Sequence, residues 1–403
     1  MEKITTAIIG GGASGLILAT TLKNDNQTIV LFERNDRVGK KLSSTGNGQG
    51  NLTNAAVLEA EYFTSSAKPE RITQAIQRYD NRSFTEFLHS LGVLLITDER
   101  GRVYPSGRQA SAVTDALRFY AHSRGVTVAL STKITAIKKT AQGFVLTAET
   151  PDGSREYLAQ NVVLATGGKA AKNFGTDGSA YALAERFGHT LTRLQPSLVQ
   201  LKTDTAHIKT LKGIRVNDAA LTAYARGKER TVVGDVIFTD YGVSGDAVFR
   251  ISAFIADALD ENTSLSIDFL PEFSLETIEQ TLQNKRASFP DTPVGELLCG
   301  VVNNQIGRAI FKRAKEDIST AARLVKAFPL EVKGSLGFDY AQVTKGGVRM
   351  DEVDDDLQSK KTDGLYFTGE ILDVDGQCGG FNLQWAYTSA RIVAAAIDRK
   401  ISK

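Results

Sequence analysis

Thr6-Ala7-Ile8-Ile9-Gly10-Gly11-Gly12-Ala13-Ser14-Gly15 is the stretch that decides the fold. Thr6 to Ile9 is a short, largely apolar run that reads as a buried parallel strand. Gly10 to Gly15 fits G-x-G-x-x-G, and Leu16, Ala19 and Leu22 continue at helical spacing. A second strand, from Thr28 to Phe32, ends at Glu33, 18 residues beyond Gly15. Strand, glycine turn, helix, strand and terminal acid are the parts of a dinucleotide-binding unit. Gly10 permits the tight turn, Gly12 lets the backbone approach a pyrophosphate, and Gly15 lets helix and strand pack closely. Ala13 and Ser14 open the helix, whose free N–H groups and dipole favour phosphate. Glu33 can accept hydrogen bonds from both ribose hydroxyls and would repel a 2′-phosphate.

Three further segments favour FAD over NAD. After Glu33 come Arg34 and Val38-Gly39-Lys40-Lys41-Leu42, basic residues and a glycine placed where a chain runs along the FAD pyrophosphate. Asn161-Val162-Val163-Leu164-Ala165-Thr166-Gly167-Gly168 resembles the second segment of two-dinucleotide-type flavoproteins. Asp363-Gly364-Leu365-Tyr366-Phe367-Thr368-Gly369-Glu370 resembles their late motif, in which an acid meets the ribityl and phosphate end. Ala165, Thr166, Gly167, Gly369 and Glu370 thus join the fingerprint in one expected FAD site. These segments offer no flavin attachment residue, so the FAD is expected to be non-covalent.

Three more stretches narrow the resemblance. They are Thr45-Gly46-Asn47-Gly48-Gln49-Gly50-Asn51-Leu52-Thr53-Asn54, the run from Asp235 to Gly245 containing Phe238-Thr239-Asp240-Tyr241-Gly242, and the run from Asp373 to Ala386 containing Gly379-Gly380-Phe381-Asn382-Leu383-Gln384. Together they resemble the HI0933-like, or BaiN-like, flavoprotein family over nearly the whole chain. Gln49-Gly50 stands where the family has Arg-Cys, and Asp240 or Tyr241 where it has His, changes that suit the branch called aminoacetone oxidases. The resemblance implies a flavin ring between the 43–54 and 373–385 loops. Gly46, Asn47, Asn51, Thr53, Asp373, Gly379, Gly380, Asn382 and Leu383 are then cofactor neighbours. Asn382 and Leu383 open a helix whose N-terminus would meet negative charge on the flavin.

The fold expected is α/β: a two-dinucleotide-type FAD-binding Rossmann domain with a nested β-barrel-like domain and a helical insert. Residues 1–190 and 341–403 are read as the FAD domain, 191–244 and 325–340 as the β-rich domain, and 245–324 as the helical insert. Pro69 to Gly92 and Ala110 to Arg124 carry apolar positions at helical spacing, and Ser197 to Thr239 breaks into short alternating strands.

Composition excludes several classes. With 403 residues, 42% hydrophobic and 23% charged, the chain can bury a large core. Its 48 basic and 46 acidic residues argue against a nucleic-acid platform. Cys299 and Cys378 cannot build a disulfide framework, and four scattered histidines make no metal site. The apolar stretch from Ile4 to Thr21 is interrupted by glycines and does not read as a signal peptide. Without a membrane span, the cytoplasm is the expected compartment; oligomeric state is not specified. Substrate-pocket candidates are Tyr241 and Tyr104, each open to a plain packing role; the catalytic residues are not identified. The function expected is an FAD-dependent oxidoreductase acting on a small molecule. An oxidase of a small primary amine such as aminoacetone, with dioxygen as acceptor, is the first reading. An NAD(P)H-dependent reductase of an unsaturated carbonyl compound is the second, and a flavin-dependent RNA-binding or regulatory protein the third.

Overall fold

The structure, a computed structural model, describes residues 1–23, 27–58, 62–259 and 263–402. The chain divides into two compact units, one of Met1–Gln195 with Val343–Lys403 and one of Pro196–Gln342.

The first unit is built on a seven-stranded sheet, whose strands are numbered here in chain order. They are β1 (Glu2–Ile9), β2 (Ile29–Phe32), β3 (Thr127–Ala129), β4 (Lys133–Thr140), β5 (Gly143–Thr150), β6 (Gly153–Leu164) and β7 (Leu365–Phe367). The order is β3-β2-β1-β6-β5-β4, with β7 also pairing β6. Strands β3, β2, β1, β6 and β7 run parallel, while β4, β5 and β6 form an antiparallel meander. Strand β6 serves both parts along one edge: its first half, to Ala159, pairs β5, and Val162–Leu164 pairs β7. The Asn161–Leu164 run of the sequence is the last part of this strand. Helix α1 (Ala13–Thr21) follows β1, and helix α2 (Phe381–Ile401) closes the chain. The sheet residues Ile8, Leu31 and Val163 share one core with Leu16 and Ile17 of α1 and with Ala390, Val393 and Ile397 of α2. These strands are apolar without alternation because both faces of a parallel sheet are covered.

The helical run from Pro69 to Gly92 is two helices, Pro69–Arg78 and Asn81–Ser90. Asp80 explains the break: its side chain accepts from the Ser83 N–H at 2.9 Å and caps the second helix. A short helix, Tyr181–Glu185, follows β6, and the C-terminal helix begins at Phe381, two residues before Leu383.

The second unit contains a closed barrel. Its strands are, in order around the barrel, Leu201–Thr203, Gly242–Ser244, Lys228–Phe238, Arg215–Ala225, Ser264–Asp268 and Phe328–Ser335, each antiparallel to its neighbours. Ala219, Leu221, Ala223 and Ala225 are buried at every second position, as are Val232, Val236 and Phe238 on the partner strand. Ser264–Asp268 corrects the sequence reading, which placed these residues in a helical insert. Leu265 and Ile267 face inward and pair with Leu330 and Phe328. Helices Asp246–Ile255, Leu275–Ser288, Asn304–Arg313 and Ile318–Lys326 share the barrel's core.

Candidate cofactor site

At the end of β1 the glycines do what the motif demands. A Cβ on Gly10, whose φ is +111°, would lie 2.4 Å from the Ala165 carbonyl oxygen, and one on Gly15 would lie 1.9 Å from that of Gly10. A Cβ on Gly12 would meet nothing within 4 Å. Gly12 is the N-cap of α1, no side chain caps that helix, and no acid lies in its first turn. Its first N–H groups therefore face open space suited to an anion. Glu33 is 8% exposed and fully engaged: Oε2 accepts from the Gly11 N–H at 2.9 Å, and Oε1 from Asn35 N and Nδ2 at 2.8 and 2.7 Å.

The separated segments converge on this turn. Ala165 N–H donates to the Ile9 carbonyl at 2.9 Å, carrying Thr166 and Gly167 to the end of β1. Ser14 Oγ donates to the Thr368 carbonyl at 3.4 Å, and a Cβ on Gly369 would lie 2.6 Å from that Oγ. Lys41 Nζ pairs with Glu370 Oε2 at 2.7 Å, while Glu370 Oε1 accepts from the Thr344 N–H at 2.9 Å. Arg34 turns toward the 175–179 loop, pairing with Asp177 at 3.0 Å and donating to the Gly175 carbonyl. Burial would raise the Asp177 pKa, but hydrogen bonds from Ser179 and Arg34 outweigh it and hold the carboxyl at about 2.

The loops expected around the flavin are also placed. Gly46 and Asn47 sit in an exposed left-handed turn that the Gly50 N–H closes on the Thr45 carbonyl at 3.0 Å. Thr53 Oγ donates to Gln384 Oε1 at 2.6 Å. Asp373 is buried, and its Oδ2 accepts from Thr64 Oγ, Ser65 N and Oγ, and Ser66 Oγ at 2.6–3.2 Å. Gly379 and Gly380 turn the chain into α2, and Asn382 ties that turn together by bonding Gly376 N–H and carbonyl at 2.9 and 2.8 Å. Leu383 lines a small apolar cavity with Ala13, Leu42 and Leu52. Helix α2, like α1, starts at a glycine with no side-chain cap and no acid in its first turn.

Tyr104 lies in the first unit, buried, with the Arg108 guanidinium 4.4 Å over its ring. Tyr241 lies in the second unit, half-buried and hydrogen-bonded to Thr239. Burial raises the pKa of both phenols. Reading the sequence alone does not single out Asn35, which bonds Glu33 two residues away, Asp177 and Gln384, whose partners are distant in sequence, or Tyr181, which no motif marks.

The residues present fit FAD. The space at Gly12 admits a phosphate, two helices offer uncapped N-termini, and the predicted site residues Asn51 and Thr166 each bury a side-chain oxygen, Oδ1 and Oγ, that has no partner among the described residues. Among those residues no cluster of His, Cys, Asp and Glu could hold a metal. Among the described residues no helix is long and apolar enough to cross a membrane.

The HI0933-like protein Rossmann domain family matches residues 4–396. A 3-dehydro-bile acid Δ(4,6)-reductase of Clostridium scindens is 36% identical over 96% of this chain and 98% of its own. A ribosomal RNA dihydrouridine synthase of Haemophilus influenzae is 28% identical over 98% of both chains. Among solved structures, a 3-ketosteroid Δ1-dehydrogenase of Sterolibacterium denitrificans superposes with a TM-score of 0.55 at 12% identity, covering 99% of this chain and all of that one.

Proposed function

The chain belongs to the HI0933-like family and is an FAD-dependent oxidoreductase, and from that premise we propose that it reduces a carbon–carbon double bond conjugated to a carbonyl. The observation that carries this reading is the 36% identity, over almost the full length of both chains, to a reductase of such a substrate. FAD, when bound, supplies the two-electron carrier for hydride exchange. The chain's own residues do the rest. The first-turn N–H groups of α1 would hold the pyrophosphate, Glu33 would meet the ribose, and the N-terminus of α2 would favour negative charge on the flavin. Tyr104, in the first unit, and Tyr241, in the second, are separate proposed substrate contacts, each a phenol whose pKa burial raises and which can donate to a substrate carbonyl.

Oxidation of a small primary amine such as aminoacetone, with dioxygen as acceptor, is the second reading. It is favoured by the single G-x-G-x-x-G in the sequence, at Gly10–Gly15, which leaves no second fingerprint for a nicotinamide nucleotide. Anaerobic stopped-flow absorbance of the flavin separates the two. NADH or NADPH should bleach it within seconds, and a 3-oxo-4-ene compound should restore the colour. Bleaching by amines, with rapid recovery in air and no response to NAD(P)H, sinks the reductase reading and puts the oxidase in its place.

A further inference from the structure

We propose that Tyr181 is a cofactor contact outside the glycine fingerprint, its hydroxyl donating a hydrogen bond to an oxygen of bound FAD. The inference rests on FAD as the cofactor and is independent of the substrate.

Tyr181 is 4% exposed, and its hydroxyl has no hydrogen-bond partner among the described residues. Folded proteins rarely leave a buried hydroxyl unsatisfied, and such a group points to an unseen partner. Burial, and after it the charges of Glu370 and Asp373, raises the pKa of this phenol. The group is thus a protonated donor close enough to feel two carboxylates, yet hydrogen-bonded to neither.

Its position is fixed by the segment that carries it. Residues 166–181 leave the end of β6 beside the glycine turn. The Lys169 and Ala170 N–H groups donate to Thr344 Oγ at 2.7 and 2.9 Å, and Thr344 in turn donates its own N–H to Glu370 at 2.9 Å. Further along, Arg34 holds Asp177 and Ser179 at 3.0 and 3.2 Å. The segment is therefore pinned to the late motif at one end and to the end of β2 at the other. Its first side chain, Thr166, carries the same kind of unpartnered oxygen as Tyr181. FAD, rich in phosphate and ribityl oxygens, would offer acceptors to hydroxyls that find no partner among the described residues.

Tyr181→Phe removes one oxygen and little else. Apoprotein of wild type and variant is titrated with FAD, following quenching of flavin fluorescence, and the Tm of each apoprotein is measured separately. The expected result is an FAD Kd raised about tenfold, with an apoprotein Tm unchanged or higher, since the deleted hydroxyl had no partner to lose. An unchanged Kd overturns the proposal. A lowered apoprotein Tm also overturns it, because the hydroxyl then has a partner, such as a buried water, before FAD binds. Wild-type apoprotein that does not bind FAD at all removes the cofactor assignment itself, and the proposal with it.

Discussion

The backbone N–H of Gly11 donates to Glu33 Oε2 at 2.9 Å, so the acid that ends β2 braces the glycine turn that ends β1. Glu33 therefore has two jobs, one in the apoprotein and one at the ribose. Glu33→Ala should weaken FAD binding by ~1–3 kcal/mol, since a charge-assisted hydrogen bond is lost. It should also destabilise the apoprotein, because Gly11 and Asn35 lose a buried acceptor. Isothermal titration and urea unfolding of the apoprotein measure the two effects. Equal FAD affinity in both proteins would leave Glu33 with the bracing role alone.

Gly12 and Gly15 should respond oppositely to the same methyl group. At Gly12 the backbone has φ −78°, and a Cβ meets open space, so Gly12→Ala should fold with an apoprotein Tm close to wild type. The methyl would stand where the pyrophosphate approaches, and FAD affinity should fall by about tenfold or more. Gly15→Ala places a Cβ 1.9 Å from the Gly10 carbonyl oxygen and should not yield a stable fold. Thermal unfolding with and without FAD distinguishes the pair. Normal FAD binding by Gly12→Ala would show that the phosphates take another path.

Acid precipitation should release the flavin into the supernatant, with a yellow native protein as the starting point. Flavin retained in the pellet would reveal a covalent bond.

His189 gives the first unit a pH dependence. Ser359 Oγ accepts from the Lys361 and Thr362 N–H groups at 3.1 and 3.0 Å, so its own proton goes to His189 Nε2 at 2.7 Å. Nδ1 then carries the ring proton and donates to Glu352 Oε2 at 3.1 Å. The distances are those of a hydrolytic triad, but Ser359 is 4% exposed and pinned in a turn. Burial lowers the His189 pKa below its ordinary 6.5, against the opposing charge of Glu352. An imidazole that resists protonation when folded adds stability that is complete above pH 6.5 and is lost as the pH falls below it. Burial would raise the Glu352 pKa, yet Lys361 and Thr190 hold it at about 2, so its own window lies lower, below 4.5. Urea midpoints should fall between pH 7.5 and 5.5 in wild type and much less in His189→Gln. Parallel declines in the two proteins would place the dependence elsewhere.

The fold was legible where physics acts locally. Thr6 to Gly15 and Glu33 specify strand, turn, helix and strand within one short stretch, and the structure builds them so. Alternation also made strands legible within Ser197 to Thr239, but as short pieces, where the structure has the long pair Arg215–Ala225 and Lys228–Phe238. Ser264–Asp268 was not: five residues between helices are too short for alternation to outweigh their neighbours. Side-chain partners were the least legible. Nothing near Arg34 in sequence announces Asp177, and nothing near Thr53 announces Gln384, because each pair is made by the fold. The buried Tyr181 hydroxyl becomes visible only when its neighbours are in place.

The closing of α1 by α2 also bears on how the chain is made. The ribosome delivers β1, its glycine turn and α1 first, but Leu16 and Ile17 are buried with Ala390, Val393 and Ile397, near the other end. The nested unit, Pro196–Gln342, is complete before any of these last residues emerges. The core under the nucleotide turn therefore cannot be completed until α2 has been made, after the whole of the nested unit. A nascent chain halted between Gln342 and α2 would leave Leu16 and Ile17 of α1 without the helix that covers them, although the whole barrel sequence has been made.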